Sequence, residues 1–218
     1  MSNIIAFIHA KDHSSRLRNK NIKLLGDKPL FCHAVENAKN ANLVDRVVVD
    51  SDSNEILDIA IKYGAEAMKR PDSLATNKTT GDELAYFEAI NFESNIMLQV
   101  VPTSPFITSQ TIDVAVDLLL QCKEFNTVVG VRKEKMYIWK DYKPTYGNKL
   151  PNSFDLPDTI YETTGLYVNR TKSVLKLKKR IDVNSCYLLN LSKIEAIDIN
   201  NREDFDFAGL IWKGLNRK

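Results

Sequence analysis

A cluster of cations and small polar residues directly follows the first apolar run of the chain. Ile4-Ile5-Ala6-Phe7-Ile8 leads into Ala10-Lys11-Asp12-His13-Ser14-Ser15-Arg16-Leu17-Arg18-Asn19-Lys20-Asn21, with Lys23 just beyond. If the run is a buried strand, the loop concentrates positive charge at its carboxyl end, the edge where open α/β sheets hold ligands. Such a loop suits a polyphosphate tail; a solvated basic loop is the plainer use of the same charge. No glycine occurs before Gly26, so side-chain cations and hydroxyls must replace close backbone approach to an anion. Any left-handed residue must then be Asp12, His13 or Asn19, since short polar side chains tolerate that region best.

Three further clusters carry potential chemistry. Asp50-Ser51-Asp52 ends the run Val47-Val48-Val49, and two carboxylates one residue apart can share a divalent cation. Asp52 with Glu55 also fits a helix N-terminal capping pair. Arg70-Pro71 opens a polar loop that reaches Thr79, Thr80 and Asp82. An arginine with nearby hydroxyls can read the carbonyl and amine of a pyrimidine; a surface ion pair is the alternative for Arg70, and a helix cap for Asp82. Asp198, in Ala196-Ile197-Asp198-Ile199-Asn200, reads as a carboxylate emerging from an apolar strand, where it needs a cation, a donor or water. Asn201 fits a cap for the last helix. His9, His13 and His33 read as packing or loop residues, leaving no obvious general base.

These clusters sit on a regular alternation. Strands are expected at Ile4–His9, Arg46–Asp50, Ala65–Met68, Ile96–Val101 and Thr127–Val131, and helices at Leu30–Asn40, Asn54–Tyr63, Asp82–Phe92 and Thr111–Lys123. Pro29 suits a first helical position and Gly64 a helix stop. A Lys-rich helical run over Arg170–Arg180, a strand around Lys193–Ile199 and an amphipathic helix over Arg202–Leu215 complete the chain. The pattern predicts an α/β class: a doubly wound, mostly parallel sheet in one domain over residues 1–218. Residues 132–162 break the alternation with Tyr137, Trp139, Tyr142 and Tyr146; this insertion reads as a dimerisation arm or a lid.

Composition narrows the function classes. Thirty basic against 28 acidic residues give a net charge of +2, too small for a global field that would draw nucleic acid. No apolar run approaches a membrane span, and the expected location is the cytoplasm. Cys32, Cys122 and Cys186 are scattered through apolar stretches and read as reduced thiols.

With these residues in view, the chain resembles the acylneuraminate cytidylyltransferases, which activate sialic and related nonulosonic acids with CTP. The resemblance rests on the loop Ala10–Asn21, on Asp50-Ser51-Asp52, on Arg70-Pro71 with Leu74-Ala75, and on Pro102-Thr103-Ser104-Pro105. Tyr161-Glu162-Thr163-Thr164-Gly165-Leu166-Tyr167 is similar to the family's Tyr-Glu-Asn-Gly segment, and Ile197-Asp198-Ile199 to its Asp-Ile-Asp motif. The resemblance implies a Rossmann-like nucleotidyltransferase fold that transfers CMP from CTP to a 2-keto sugar acid, with release of pyrophosphate. Lys20, Arg16 and Asp198 are the implied catalytic residues. Ala10, Lys11, Ser14, Asn21, Arg70, Thr79, Thr80 and Asp52 would bind nucleotide, and Val101, Thr103, Ser104, Tyr161, Glu162 and Thr164 the acceptor. Asp198 and Asn200 would hold Mg²⁺, with Mn²⁺ as a substitute, in a homodimer.

The departures cluster. Lys11 stands for an arginine, the loop lacks the family's glycines, Asn200 replaces the second carboxylate, and Val101 and Phe106-Ile107 replace the family's Gln and Leu-Arg around the Pro-Thr-Ser-Pro match. They point to an acceptor other than ordinary N-acetylneuraminate, or to a relaxed pocket. Two rival readings follow from the same residues: a nucleotide-sugar glycosyltransferase with its metal on Asp50 and Asp52, or a catalytically impaired nucleotide-binding homologue.

Overall fold

The computed structural model describes residues 3–14 and 16–217. Strand and helix alternate through β1 (Ile4–His9), the short hairpin β2 (Leu24–Leu25) and β3 (Lys28–Pro29), α1 (Leu30–Lys39), β4 (Arg46–Ser51) and α2 (Asn54–Lys62). They continue through β5 (Glu66–Lys69), α3 (Gly81–Asn91), β6 (Ile96–Val100), α4 (Ser109–Gln121) and β7 (Thr127–Lys135). The remainder is β8 (Trp139–Lys140), β9 (Lys143–Pro144), β10 (Asp158–Arg170), α5 (Thr171–Leu177), β11 (Cys186–Asn190) and α6 (Arg202–Leu215). A seven-stranded sheet has the order β11-β7-β10-β6-β1-β4-β5, and within it β10 alone runs against the others. The doubly wound, mostly parallel sheet is therefore present.

Side-chain alternation along the strands builds two different layers. On one face Ala6, Ile8, Val49, Leu98 and Val168 pack against α1, α2 and α4 through Phe31, Val35, Ile56, Ile112 and Val116. On the other, Ile5, Phe7, Val48, Met68 and Met97 pack under α3 and α5 through Ala85, Ala89 and Val174. Two residues further along this second face the sequence turns polar, at His9, Asp50, Arg70 and Gln99. His9 lies level with Asp50 across the β1–β4 pairing. A polar floor thus forms at the carboxyl ends of four adjacent strands.

Local signals account for most boundaries. Asn19 adopts φ 55°, the left-handed conformation that the glycine-free loop required, just before a single 3-10 turn at Lys20–Ile22. Gly64 at φ 79° terminates α2. Pro29 flanks α1 rather than occupying its first turn. Ser53, not Asp52, is the residue preceding α2, and it makes no side-chain cap. At α3 the cap is Thr80, which shares a reciprocal capping box with Glu83, while Asp82 instead accepts the Arg180 amide at 2.8 Å. Asn201 caps α6 as expected, with Asp204 completing the box.

Two expectations fail for identifiable reasons. The strand expected around Lys193–Ile199 is a series of turns, and the strand lies upstream, at β11. Glu195 holds Ser192 through its amide and hydroxyl, at 3.2 and 2.8 Å. Such local side-chain bonds compete with ladder formation. The strand expected to stop at Val131 continues to Lys135 because Asp158–Glu162 extend as its antiparallel partner. The insertion is thereby a ribbon tipped by the β8–β9 pair, with Tyr137 edge-on to Tyr146 at 5.7 Å and Tyr142 99% exposed. Cys32 is buried in the core, whereas Cys122 and Cys186 are half-buried; all three are free.

Candidate nucleotide site

Lys11, Ser14, Arg16, Lys20, Asn21, Val101 and Thr103 line one cleft of about 220 Å³, together with His9, His13, Asn77 and Pro102. The cleft lies where β1 and β6 end, and hydrogen bonds within the protein brace the loop that forms it. Asn21 donates through Nδ2 to the Lys11 carbonyl at 2.7 Å, and Lys11 Nζ donates to Asn77 Oδ1 at 2.6 Å. The Asp12 amide donates to Asp52 Oδ1 at 2.9 Å, and the Ala10 amide to the Asp50 carbonyl at 2.9 Å. The Ala10 amide and Asp52 Oδ1 thus help to brace the loop.

Lys20 is the deepest of the cations lining the cleft, 7% exposed. Its Nζ donates to the Ile199 carbonyl at 2.7 Å, and Ile199 in turn donates its amide to the Thr103 carbonyl at 2.8 Å. Burial lowers its pKa, while the nearby Asp198 carboxylate raises it. An ammonium group held in this way is short of counter-charge and suited to a phosphate oxygen. Arg16 is exposed at the rim.

Asp198 sits beside Lys20, and its Oδ2 accepts from Asn200 Nδ2 at 2.6 Å. The described residues contain no group of three or more His, Cys, Asp or Glu side chains placed to hold a metal. One carboxylate with one amide oxygen fits magnesium bound largely through substrate phosphates and water. It does not fit an all-protein metal cage.

Beneath the cleft, the polar floor corrects two sequence readings. Arg70 is 2% exposed and pairs through Nη2 with the Asp50 carboxylate, itself fully buried. It is neither a surface ion pair nor open to a cytosine ring. With Asp50 committed to Arg70 and Asp52 to the Asp12 amide, the carboxylate pair needed for a glycosyltransferase metal is already engaged. Desolvation lowers the Arg70 pKa to about 10, against the opposing field of Glu88. Thr79 is hydrogen-bonded to Thr76 at 3.0 Å, and Thr80 is occupied in capping α3.

The expected acceptor residues are dispersed. Val101 and Thr103 reach the cleft. Ser104 is 1% exposed with its hydroxyl unpartnered, packed where a methyl group on Gly165 would come within 2.6 Å of Oγ. Tyr161, Glu162 and Thr164 are exposed along β10, at a register shift between Glu162 and Tyr167. Within that shift Thr164 holds φ 61°, a strained conformation for a β-branched residue. Glu162 accepts the Tyr167 hydroxyl at 3.0 Å, and the Arg180 guanidinium stacks 3.8 Å above the Tyr167 ring.

Sequence reasoning missed His9, His13 and Asn77 as cleft residues. Nothing in the residue types marks Asn77, whose place depends on where the loop after β5 returns. His9 carried a signal, since it is the last inward residue of a strand ending at the basic loop.

The sequence pattern that defines the cytidylyltransferases matches residues 5–138, which include β1, its loop and the Pro102–Pro105 segment. The chain belongs to the cytidylyltransferase family. This cytidylyltransferase is 32% identical over 93% of its length, and of the relative's, to the CMP-N,N'-diacetyllegionaminic acid synthase of Legionella pneumophila. It is 38% identical, over 99% of its length and 97% of the relative's, to the post-translational flagellin modification protein B of Campylobacter coli. It is 31% identical to the N-acylneuraminate cytidylyltransferase of Escherichia coli over 99% of its own length, yet spans only 53% of that protein. Among solved structures, a CMP:2-keto-3-deoxy-manno-octonic acid synthetase complexed with CTP superposes with a TM-score of 0.76 at 12% identity, covering 98% of this chain and 100% of that one. That likeness establishes the shared fold.

Proposed function

We propose that this cytidylyltransferase transfers CMP from CTP to the anomeric hydroxyl of a nonulosonic or related 2-keto sugar acid, releasing pyrophosphate. The observation that carries the reading is the convergence of Lys11, Ser14, Arg16, Lys20 and Asn21 on one cleft at the sheet's carboxyl edge. Lys20 and Arg16 hold the β- and γ-phosphates and offset the charge that develops on the leaving pyrophosphate, while Lys11, Ser14 and Asn21 fix the tail near the α-phosphate. Asp198 and Asn200 would hold magnesium, which when bound would supply charge neutralisation to the triphosphate and ease ionisation of the acceptor hydroxyl. The names of the relatives support an acidic sugar acceptor. Val101, Thr103 and the bulged segment of β10 would form its side of the cleft.

The β7–β10 ribbon, with its exposed aromatics, supports a homodimer in which the ribbon of one copy seats on the other. No helix among the described residues is long and apolar enough to cross a membrane, and dependence on CTP supports a cytoplasmic location.

The deciding assay incubates the protein with CTP, Mg²⁺ and, in turn, sialic, legionaminic, pseudaminic, Kdn and Kdo acids, with products read by mass spectrometry. A CMP-sugar with equimolar pyrophosphate is expected from at least one acceptor. Tight CTP binding with no product from any acceptor would favour the impaired homologue. Asn200→Asp should tighten Mg²⁺ binding, measured by titration in the presence of CTP, because a second carboxylate adds charge to the donor set.

A further inference from the structure

His9 and Glu88 form a pair that the reading above leaves unused. His9 lines the nucleotide cleft, with its Nδ1 turned inward, 3.8 Å from Glu88 Oε1. Both atoms are buried and lack a hydrogen-bond partner among the described residues. Glu88, at 0% exposure on α3, is oriented by Gln99 of β6, whose Nε2 donates to Oε2 at 2.6 Å. A buried carboxyl oxygen without a partner, as Glu88 Oε1 is, carries a cost that contact with a neighbouring group can offset. With Nδ1 committed inward, the Nε2 edge of the ring is the one left to face the cleft.

We propose that His9 is the general base that takes the proton of the acceptor hydroxyl, and that Glu88 is the positioning residue that presents it. The inference rests on the cytidylyl-transfer reading. In this step the acceptor oxygen bonds to the α-phosphorus, and the bond from that phosphorus to the bridging oxygen of the β-phosphate breaks. Pyrophosphate leaves with the electron pair, the acceptor's proton passes to His9 Nε2, and water removes it between turnovers. The arrangement is that of a base oriented by a carboxylate behind it. A separation of 3.8 Å must close by about 1 Å to become a hydrogen bond, the kind of tightening that follows substrate binding.

The surroundings set when the pair works. Arg70 from the end of β5 and Arg180 from the loop after α5 face both groups; Asp50 of β4 is matched to Arg70, and Gln99 is neutral. Burial and the two arginines keep the imidazole neutral, holding its pKa down to about 3, while burial raises Glu88 to about 8. While Glu88 is protonated, its hydroxyl can donate to Nδ1, leaving the proton of the neutral ring on Nε2 and no base in the cleft. Once Glu88 ionises, Nδ1–H donates to the carboxylate, whose charge raises the basicity of the ring above that of the pair with Glu88 neutral, and the Nε2 lone pair opens towards the acceptor. Turnover should therefore rise through the alkaline range.

Three measurements test this, using CTP and whichever panel acceptor the wild-type protein uses. His9→Gln should lower kcat by about 10²–10³-fold, with CTP affinity by calorimetry within about threefold of wild type. Glu88→Gln should lower kcat by about tenfold or more and abolish the rise with pH. Wild-type kcat in His9→Gln, or an unaltered pH profile in Glu88→Gln, overturns the proposal while leaving cytidylyl transfer intact. If no acceptor reacts, the failure belongs to the function reading, and nitrogen NMR of the His9 ring still decides the pair. The proton should move from Nε2 to Nδ1 between pH 7 and 9; a ring protonated on Nε2 throughout overturns the assignment.

Discussion

In the loop after β1, Lys11, Arg16 and Arg18 keep contact with water, whereas one layer deeper Asp50, Arg70 and Glu88 have almost none. Solvent pays for charge in the first region, so these cations can turn to a ligand at little cost to the fold. In the second, each charge must be matched by the protein itself. The same ionisable side chains are therefore functional groups in one place and structural commitments in the other. His9 belongs to both, with one edge in the cleft and one in the floor.

The comparison breaks most sharply at Arg70. Arg70→Ala strands the Asp50 carboxylate in the interior and should cost about 3–5 kcal/mol, a fall in melting temperature of roughly 10 °C for a chain of this size. The double substitution Asp50→Leu with Arg70→Met should recover most of that loss, read by the same melt. If Arg70→Ala melts like wild type, the floor is not the closed system that its geometry indicates.

Next in size is a pH effect confined to the floor. The Glu88 pKa is raised from 4.5 to about 8, so its contribution is complete below about pH 4.5 and fades as pH climbs towards 8. The His9 pKa is lowered from 6.5 to about 3, so its contribution grows with pH and is complete above about pH 6.5. The two trends oppose each other between about pH 4.5 and 6.5, leaving a net fall of roughly 2 kcal/mol between about 6.5 and 8. Denaturant titrations across that range should show the fall in wild type and none in Glu88→Gln.

Arg16→Ala sharpens the contrast from the other side. CTP affinity should drop about tenfold, roughly 1.4 kcal/mol, with the melting temperature unchanged and the remaining binding less sensitive to salt. The smallest effect lies at the β10 bulge. Thr164→Gly releases a β-branched residue from φ 61° and should stabilise by about 1 kcal/mol, measured by denaturation. A destabilised variant would mean that the Thr164 side chain makes a contact that outweighs its backbone strain.

The loop was legible because its charges cluster in sequence, and the sheet because β1, β4 and β6 are continuous apolar runs. The floor was not, because His9, Asp50, Arg70, Glu88 and Gln99 are single polar residues on five separate elements, joined only by register and by the packing of α3. Arg70 read as a ligand contact because nothing around it in sequence reveals that β4 brings Asp50 alongside. The turns holding Asp198 were mistaken for a strand because apolar alternation there was read without the hydroxyl and carboxylate that curl Ser192–Glu195. Family likeness supplied the position of the acidic motif; its geometry came from contacts between residues far apart in the chain.

One of those contacts reaches from Lys20 to the carbonyl of Ile199. A nascent chain can finish β1 and its loop well before the anchor for this lysine, 179 residues further along, emerges from the ribosome. Nucleotide capture is thus reserved for polypeptides whose translation has passed that point, and shortened products ending before it should bind CTP poorly even if their sheet assembles.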